Sequence, residues 1–331
     1  MKQSPRIALA GLLTLLCSIE AAHGEPLTLR YAQAYSAAHS IFSLPVTVAR
    51  REGLFAREGV NVSLVIPVPG GSDKMIDALD DDWADVTHIA TPFLIRAALA
   101  GSDAVAIDTE FKNPIYSLVA KPAITSIAGL KGKLVGLADQ AGTISISMRK
   151  LLAAHGLGAG DYAVKVQEGT PARFNCLRER DCDAVVLGQP QDLQAIAAGY
   201  RLLGRSNEAV PAYLYTVTAV RRSFAQTHQE ALDRFVRGLA AAFGFIRAPQ
   251  NRDAVVKLVA ETLGCSDAIA GATLDLFLQP GQDVLPARGE IDLAALQQVV
   301  AMMAEAGLLK PPLPQAARFV DLHYLRAAGV Q

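Results

Sequence analysis

Cysteine, tryptophan and net charge are all scarce in this 331-residue sequence, and each scarcity removes a class of function. Lysine plus arginine number 31 against 32 aspartate plus glutamate, and the charges are dispersed. No basic stripe exists to grip nucleic acid, so a nucleic-acid partner is not expected. Four cysteines without a second close pair or nearby histidines do not make a zinc site, and no metal is expected. The G-x-S-x-G elbow, H-E-x-x-H, the P-loop and an intact G-x-G-x-x-G are all missing. Asp80-Asp81-Asp82 lacks the spacing of a calcium loop, and nothing in the pattern makes Asp108 and Glu110 an acid/base pair. An enzyme is therefore not expected, and neither is a cofactor. Beyond the first two dozen residues no run approaches ~18 apolar residues, which excludes a later helical membrane span.

The N-terminus has the three parts of a secretory signal. Lys2 and Arg6 form a basic n-region, Ile7 to Cys17 an uncharged and mostly apolar stretch, and Ala22-His23-Gly24 a small-residue cleavage site. Residues 1–24 are expected to be removed, which places the protein in the periplasm. Cys17 raises a lipoprotein alternative, but Leu16 before it is bulky where lipid processing favours a small residue. The remaining 307 residues carry 29 basic and 31 acidic side chains, because Lys2, Arg6 and Glu20 leave with the signal. That length exceeds what a single core usually serves and predicts two lobes.

Strand-like runs at 27–33, 60–66, 84–90 and 103–108 alternate with helical stretches at 44–57, 74–80 and 92–100. A second series follows, with strands at 133–138, 163–167 and 183–188 and helices at 143–155, 171–180 and 190–198. This alternation predicts βαβ units and parallel sheet with helices on both faces. The two series echo one another at an offset of 98: Gly71-Ser72 with Gly169-Thr170, Leu79 with Leu177, Asp85 with Asp183, Pro92 with Pro190. The tail is helical. Ser223 and Gln226 suggest a capping box, apolar residues from Leu232 to Ile246 recur at helical spacing, and helices are expected at 251–263, 267–278 and 292–305, the last capped by Asp292. Packed back on the first lobe, these helices leave 115–120 and 213–220 as the segments that cross between lobes. The domains are then 25–114 plus 221–331 for lobe 1 and 115–220 for lobe 2, hinge strands included.

In open α/β sheets a ligand sits beyond the carboxyl ends of the strands, against helix N-termini. The polar junctions there are Tyr35-Ser36-Ala37-Ala38-His39-Ser40, Pro69-Gly70-Gly71-Ser72-Asp73, Thr91 before Pro92, Gln140-Ala141-Gly142-Thr143-Ile144-Ser145, and Gln189 before Pro190. Ser72, Thr91 and Thr143 also fit ordinary helix caps. His39, in a loop, is the better contact candidate; His88, inside a strand, reads as a satisfied interior histidine. Cys176 and Cys182 flank a five-residue polar loop, so in an oxidising compartment they form either a disulfide or two free thiols.

The segments ARREGLFAREGVNVSLV (49–65), GSDKMIDALDDDWADV (71–86), SLVAKPAITSIAGLKGKLVGL (117–137), DAVVLGQP (183–190) and VTAVRRSFAQTHQEALDRFVRGL (217–239), in this order, form a recognisable set. The chain resembles the nitrate/sulfonate/taurine class of ABC-transporter substrate-binding proteins, whose superfamily also holds thiamine-pyrimidine binders. The resemblance implies a type II periplasmic-binding-protein fold: α/β, two βαβ lobes joined by two hinge strands, with the ligand cleft between them. It implies a monomer that passes a small-molecule ligand to an ABC permease in the inner membrane. Carried over, it assigns ligand contact to Tyr35, Ser36, His39, Ser40, Gly70, Gly71, Ser72, Thr91, Gln140, Thr143, Ser145 and Gln189, with Tyr116 and Tyr215 as aromatic walls near the hinge. The first-choice junctions hold no arginine, which weakens a strongly charged nitrate or sulfonate; Arg173, shortly after the Gly169-Thr170 turn, is the exception. An aromatic carboxylate or a pyrimidine remains an alternative ligand. A sensor input domain, or a pyrimidine-synthesis enzyme on the same fold, remains an alternative function.

Overall fold

The computed structural model describes residues 27–330 apart from 69, 70, 73, 141, 211, 212 and 283. The signal sequence, Cys17 and Gly70 lie outside the described residues. Among the described residues, ten strands form two sheets: β1 Leu27–Ala34, β2 Val60–Val68, β3 Val86–Ala90, β4 Ala104–Phe111, β5 Ser117–Ala120, β6 Leu134–Leu137, β7 Ala163–Val166, β8 Ala184–Leu187, β9 Arg201–Arg205 and β10 Thr216–Arg221. The first sheet has the order β2-β1-β3-β10-β4 and the second β7-β6-β8-β5-β9.

Both sheets are mixed, where alternation alone predicted parallel ones. β1 runs parallel to β2 and β3, but β10 lies antiparallel between β3 and β4. Likewise β6 runs parallel to β7 and β8, and β5 lies antiparallel between β8 and β9. The physical reason is the double crossing. The chain leaves the first sheet after Phe111, enters the second as β5, and returns as β10, so each sheet holds one strand with no βα unit of its own. Strands β3, β4, β5 and β8 are buried along their whole length, as covered sheets require.

The echo in sequence is a repeat in structure. Asp85 accepts from the Arg30 N–H at 2.7 Å while its own N–H donates to the Arg30 carbonyl; Asp183 does the same with Leu134, its carboxylate accepting at 3.0 Å. Ser72 Oγ accepts from the Ala90 N–H at 3.3 Å, and Thr170 Oγ1 from the Gly188 N–H at 3.4 Å. Ala90 and Gly188 are again 98 apart, as are the buried Leu79 and Leu177. One aspartate and one hydroxyl thus tie the same parts of each lobe together.

Local differences from the sequence pattern have identifiable causes. The helix expected over 44–57 splits into Leu44–Arg51 and Leu54–Arg57, because Gly53 takes a left-handed conformation, φ 65°. Ser223 and Gln226 form no capping box; Asp103 accepts from the Ser223 N–H at 2.9 Å and caps the Arg222–Thr227 helix instead. Asp292 does cap its helix, accepting from Ala294 and Ala295. The long helix Gln229–Arg247 lays Leu232, Phe235, Val236, Leu239, Phe243 and Ile246 against the first lobe, with Phe235 stacked on Phe55 at 5.1 Å.

Under that helix the first lobe holds a polar cluster. Glu110, fully buried, accepts from Tyr31 Oη at 2.9 Å, Thr218 Oγ1 at 3.0 Å and His88 Nδ1 at 2.9 Å. His88 is therefore the satisfied interior histidine the strand pattern suggested. Burial, reinforced by the neighbouring Glu110, holds the Asp108 carboxyl well above its ordinary value. The carboxyl therefore holds its proton more tightly when folded than when unfolded, so it costs stability as the pH rises above the usual carboxylate range. Asp108→Asn is neutral in both states. It is expected to raise the thermal midpoint at pH 7 and to lose that advantage as the pH falls to about 4, measured by melts across pH.

Candidate functional site

The lobes approach each other between the turn after β1 and the turn after β7. A Cβ placed on Gly169 in the second lobe would lie 3.9 Å from Ser36 Cβ in the first. Lys150 pairs with Glu305, and Asn207 bonds Gln282, across the same boundary. The first hinge segment is held by Ser206, which donates to the Pro114 carbonyl at 2.7 Å and accepts from the Tyr116 N–H at 3.0 Å.

The repeat isolates what distinguishes the second lobe. Three positions that carry Met75, Thr91 and Leu94 in the first lobe carry Arg173, Gln189 and Asp192 in the second, each 98 residues on. Met75 and Leu94 are core side chains; their counterparts are a cation and a carboxylate that are buried just as deeply.

Arg173, 2% exposed, lies in the helix Thr170–Arg178. Its Nε donates to the Val186 carbonyl, Nη1 to the Gln167 carbonyl at 2.9 Å and Nη2 to Thr170 Oγ1 at 3.1 Å. Three of the five guanidinium N–H donors are thus committed to protein. No carboxylate among the described residues forms an ion pair with it. Burial lowers its pKa, and its electrostatic neighbours include Tyr116, Tyr215 and Asp139. The C-terminal end of its helix is fastened by a disulfide between Cys176 and Cys182.

Tyr116 and Tyr215 meet hydroxyl to hydroxyl at 3.0 Å, with Phe42 packed on both. Burial pushes Tyr116 up to about 12 and Tyr215 well above its ordinary value. Thr143 opens the helix Thr143–Ala154 without capping it: Gly142 is the N-cap, and the Thr143 hydroxyl turns toward Tyr213 Oη, countering part of the rise that burial gives the tyrosine. Gln189 Oε1 has no partner among the described residues, and all three side chains are at most 3% exposed. A buried polar atom without a partner is uncommon and costly.

Other candidates serve the backbone. Thr91 is not a cap; its hydroxyl donates to the Leu214 carbonyl at 2.6 Å and its N–H to the Tyr215 carbonyl, which anchors the returning chain. Ser40 Oγ caps the short turn Ile41–Ser43 by accepting from Phe42, and Ser145 Oγ accepts from the Asp139 N–H at 3.2 Å. Tyr35, Ser36, His39 and Gln140 are exposed at the rim, with His39 Nδ1 bonded to the Tyr35 carbonyl at 2.9 Å. Gly71 is half-buried next to Ser72. Sequence reasoning did not single out Tyr213, Thr170, Phe42 or Asp192 as site residues. Only Thr170 and Asp192 had a signal, as the counterparts of Ser72 and Leu94.

The chain matches the profile of the NMT1-like family over residues 40–260. No functionally curated protein matches it. Among solved structures, the ligand-binding component of an ABC-type import system from Staphylococcus aureus, determined with zinc bound, superposes with a TM-score of 0.75 at 12% identity, covering 92% of this chain and 100% of that one. The alkanesulfonate-binding protein SsuA from Xanthomonas axonopodis pv. citri, bound to MOPS, gives 0.69 at 18%, covering 89% and 98%. The desulfurization enzyme DSZB gives 0.66 at 17%, covering 91% and 95%. These likenesses are ones of fold, and the fold is that of periplasmic binding proteins. With two thirds of its length matched by the one profile, the chain belongs to the NMT1-like family.

Proposed function

We propose that the protein is the periplasmic solute-binding component of an ABC importer, and that its two lobes close on a small organic or oxyanionic solute whose negative group meets Arg173. The observation that carries this reading is the buried guanidinium with no ion-paired carboxylate among the described residues, at the position where the other lobe places methionine. A buried charge is costly unless paired, and a bound anion supplies the pair. Thr143 and Tyr213 offer hydroxyls to the same ligand, and Tyr116, Tyr215 and Phe42 an aromatic wall. Binding energy favours the closed arrangement, which an inner-membrane permease then recognises. The protein acts as a monomer without a cofactor.

DSZB has a comparable fold and is an enzyme, so catalysis is the competing reading. The ionisable groups of the cleft favour binding. A tyrosine held at about 12 is a poor general base near neutrality, and the cation beside it is held by three acceptors rather than free to move.

A thermal-shift screen with nitrate, alkanesulfonates, aromatic carboxylates and pyrimidines tests the proposal. An anion at 100 times its dissociation constant is expected to add about 2.7 kcal/mol, a shift of a few degrees. A shift from neutral pyrimidines alone would contradict the role given to Arg173, and turnover of any probe would favour the enzyme.

A further inference from the structure

The solute-binding reading leaves the polarity of the ligand beyond its anionic group undefined, and Asp192 defines it. Asp192 is fully buried at the start of the helix Gln191–Ala197, at the position that Leu94 fills in the first lobe. Its Oδ2 accepts from Ser117 Oγ and from Gln189 Nε2, both at 2.8 Å, and its Oδ1 accepts from the Leu193 N–H at 2.7 Å. A carboxylate that accepts all three bonds forces the Gln189 amide into one orientation, nitrogen toward Asp192. The amide oxygen is then the free end, and a carbonyl oxygen can only accept. Gln189 Oε1 is buried and no donor among the described residues reaches it. It stands beside Gly188, where a Cβ would lie 3.1 Å from the Tyr116 ring and 3.4 Å from Thr170 Oγ1. The same Thr170 hydroxyl holds Arg173. Thr170 Oγ1, which accepts from Arg173 and from the Gly188 N–H, thus links the cation to the residue just before the fixed acceptor.

We propose that the site selects organic anions that also carry a hydrogen-bond donor, a hydroxyl or an N–H, and that Asp192 is the positioning residue that sets this specificity through Gln189. A hydroxylated or amino-bearing acid satisfies both Arg173 and Gln189 Oε1. A plain alkanesulfonate, a plain carboxylate or nitrate satisfies only the first and leaves the amide oxygen buried without a partner.

The test is a selectivity ratio, which a merely structural role would not move. Isothermal titration of the purified protein would compare isethionate with ethanesulfonate, hydroxybenzoate with benzoate, and lactate with propionate. In the wild type, the hydroxylated member of any pair that binds is expected to bind about tenfold tighter or more. In Asp192→Asn the Leu193 N–H keeps the amide oxygen at Oδ1. The new NH2 then faces Gln189, whose amide turns its own nitrogen to the ligand, so the ratio collapses or inverts. Gln189→Met removes the acceptor without touching Asp192 and is expected to abolish the preference, which covers the case of an unfolded Asp192 variant. Binding with equal affinity within pairs, or a ratio unchanged in both variants, overturns the role of Asp192 but leaves the anion site standing. Failure of every anion to bind the wild type overturns both.

Discussion

Arg173→Met is expected to weaken anion binding at least a hundredfold while shifting the unfolding free energy of the unliganded protein by no more than about 1 kcal/mol. The first number follows from the guanidinium's two uncommitted N–H donors. Hydrogen bonds to a charged group contribute about 1.5–3 kcal/mol each, and 1.4 kcal/mol is a factor of ten in affinity. The second follows from the repeat. The first lobe packs Met75 fully buried at the corresponding place, so the fold accommodates a thioether there. Exchanging a buried charge for an apolar side chain of similar volume is often neutral or stabilising. The carbonyls of Val186 and Gln167 lose a donor in the exchange, which offsets part of that gain. Arg173→Lys is expected to recover little affinity, because a lysine lacks the planar fork that reaches Val186, Gln167, Thr170 and the ligand together. Titration calorimetry with the tightest anion, alongside thermal melts, measures both quantities. Full affinity in Arg173→Met would remove the anion from this site.

Glu110→Ala is expected to cost about 3–5 kcal/mol, lowering the thermal midpoint by about 10 °C. Its carboxylate is the shared acceptor for Tyr31, Thr218 and His88, which no longer have a partner once it is gone. All three lie between the first sheet and the helix Gln229–Arg247, out of reach of solvent. Glu110→Gln keeps a carbonyl oxygen in place of Oε1, which serves both Tyr31 and Thr218, gives up the acceptor for His88, and is expected to lose roughly half as much. Urea and thermal unfolding of the three proteins check the order. A melting point unchanged in Glu110→Ala would show that the cluster contributes nothing net to the fold.

The alternation of strand and helix was plain in the sequence because both sheets are covered on two faces, which forces apolar strands between amphipathic helices. The 98-residue echo was legible too, since Asp85 and Asp183, or Ser72 and Thr170, hold backbone positions that only a few residue types can serve. The antiparallel insertion of β5 and β10 was not legible. Strand direction depends on where the chain crosses between sheets, and residues 115–120 read the same in either sense. The site was legible as a set of junctions but not as chemistry. Thr91 and Thr143 both precede or open helices, and only the fold separates the one spent on the Leu214 carbonyl from the one turned toward the buried Tyr213 hydroxyl. Arg173 and Asp192 fall on helix faces where apolar residues are the rule. Their meaning lies in the contrast with Met75 and Leu94, which fill the corresponding buried positions of the first lobe.

A crystal structure of the protein with the tightest-binding anion would settle the arrangement. The ligand is expected between the two lobes, an anionic oxygen within about 3 Å of Arg173, as charge-assisted hydrogen bonds require, and the rest of the molecule against Tyr116, Tyr215 and Phe42. An anion seated on surface lysines, with the Arg173 guanidinium untouched, would contradict the account.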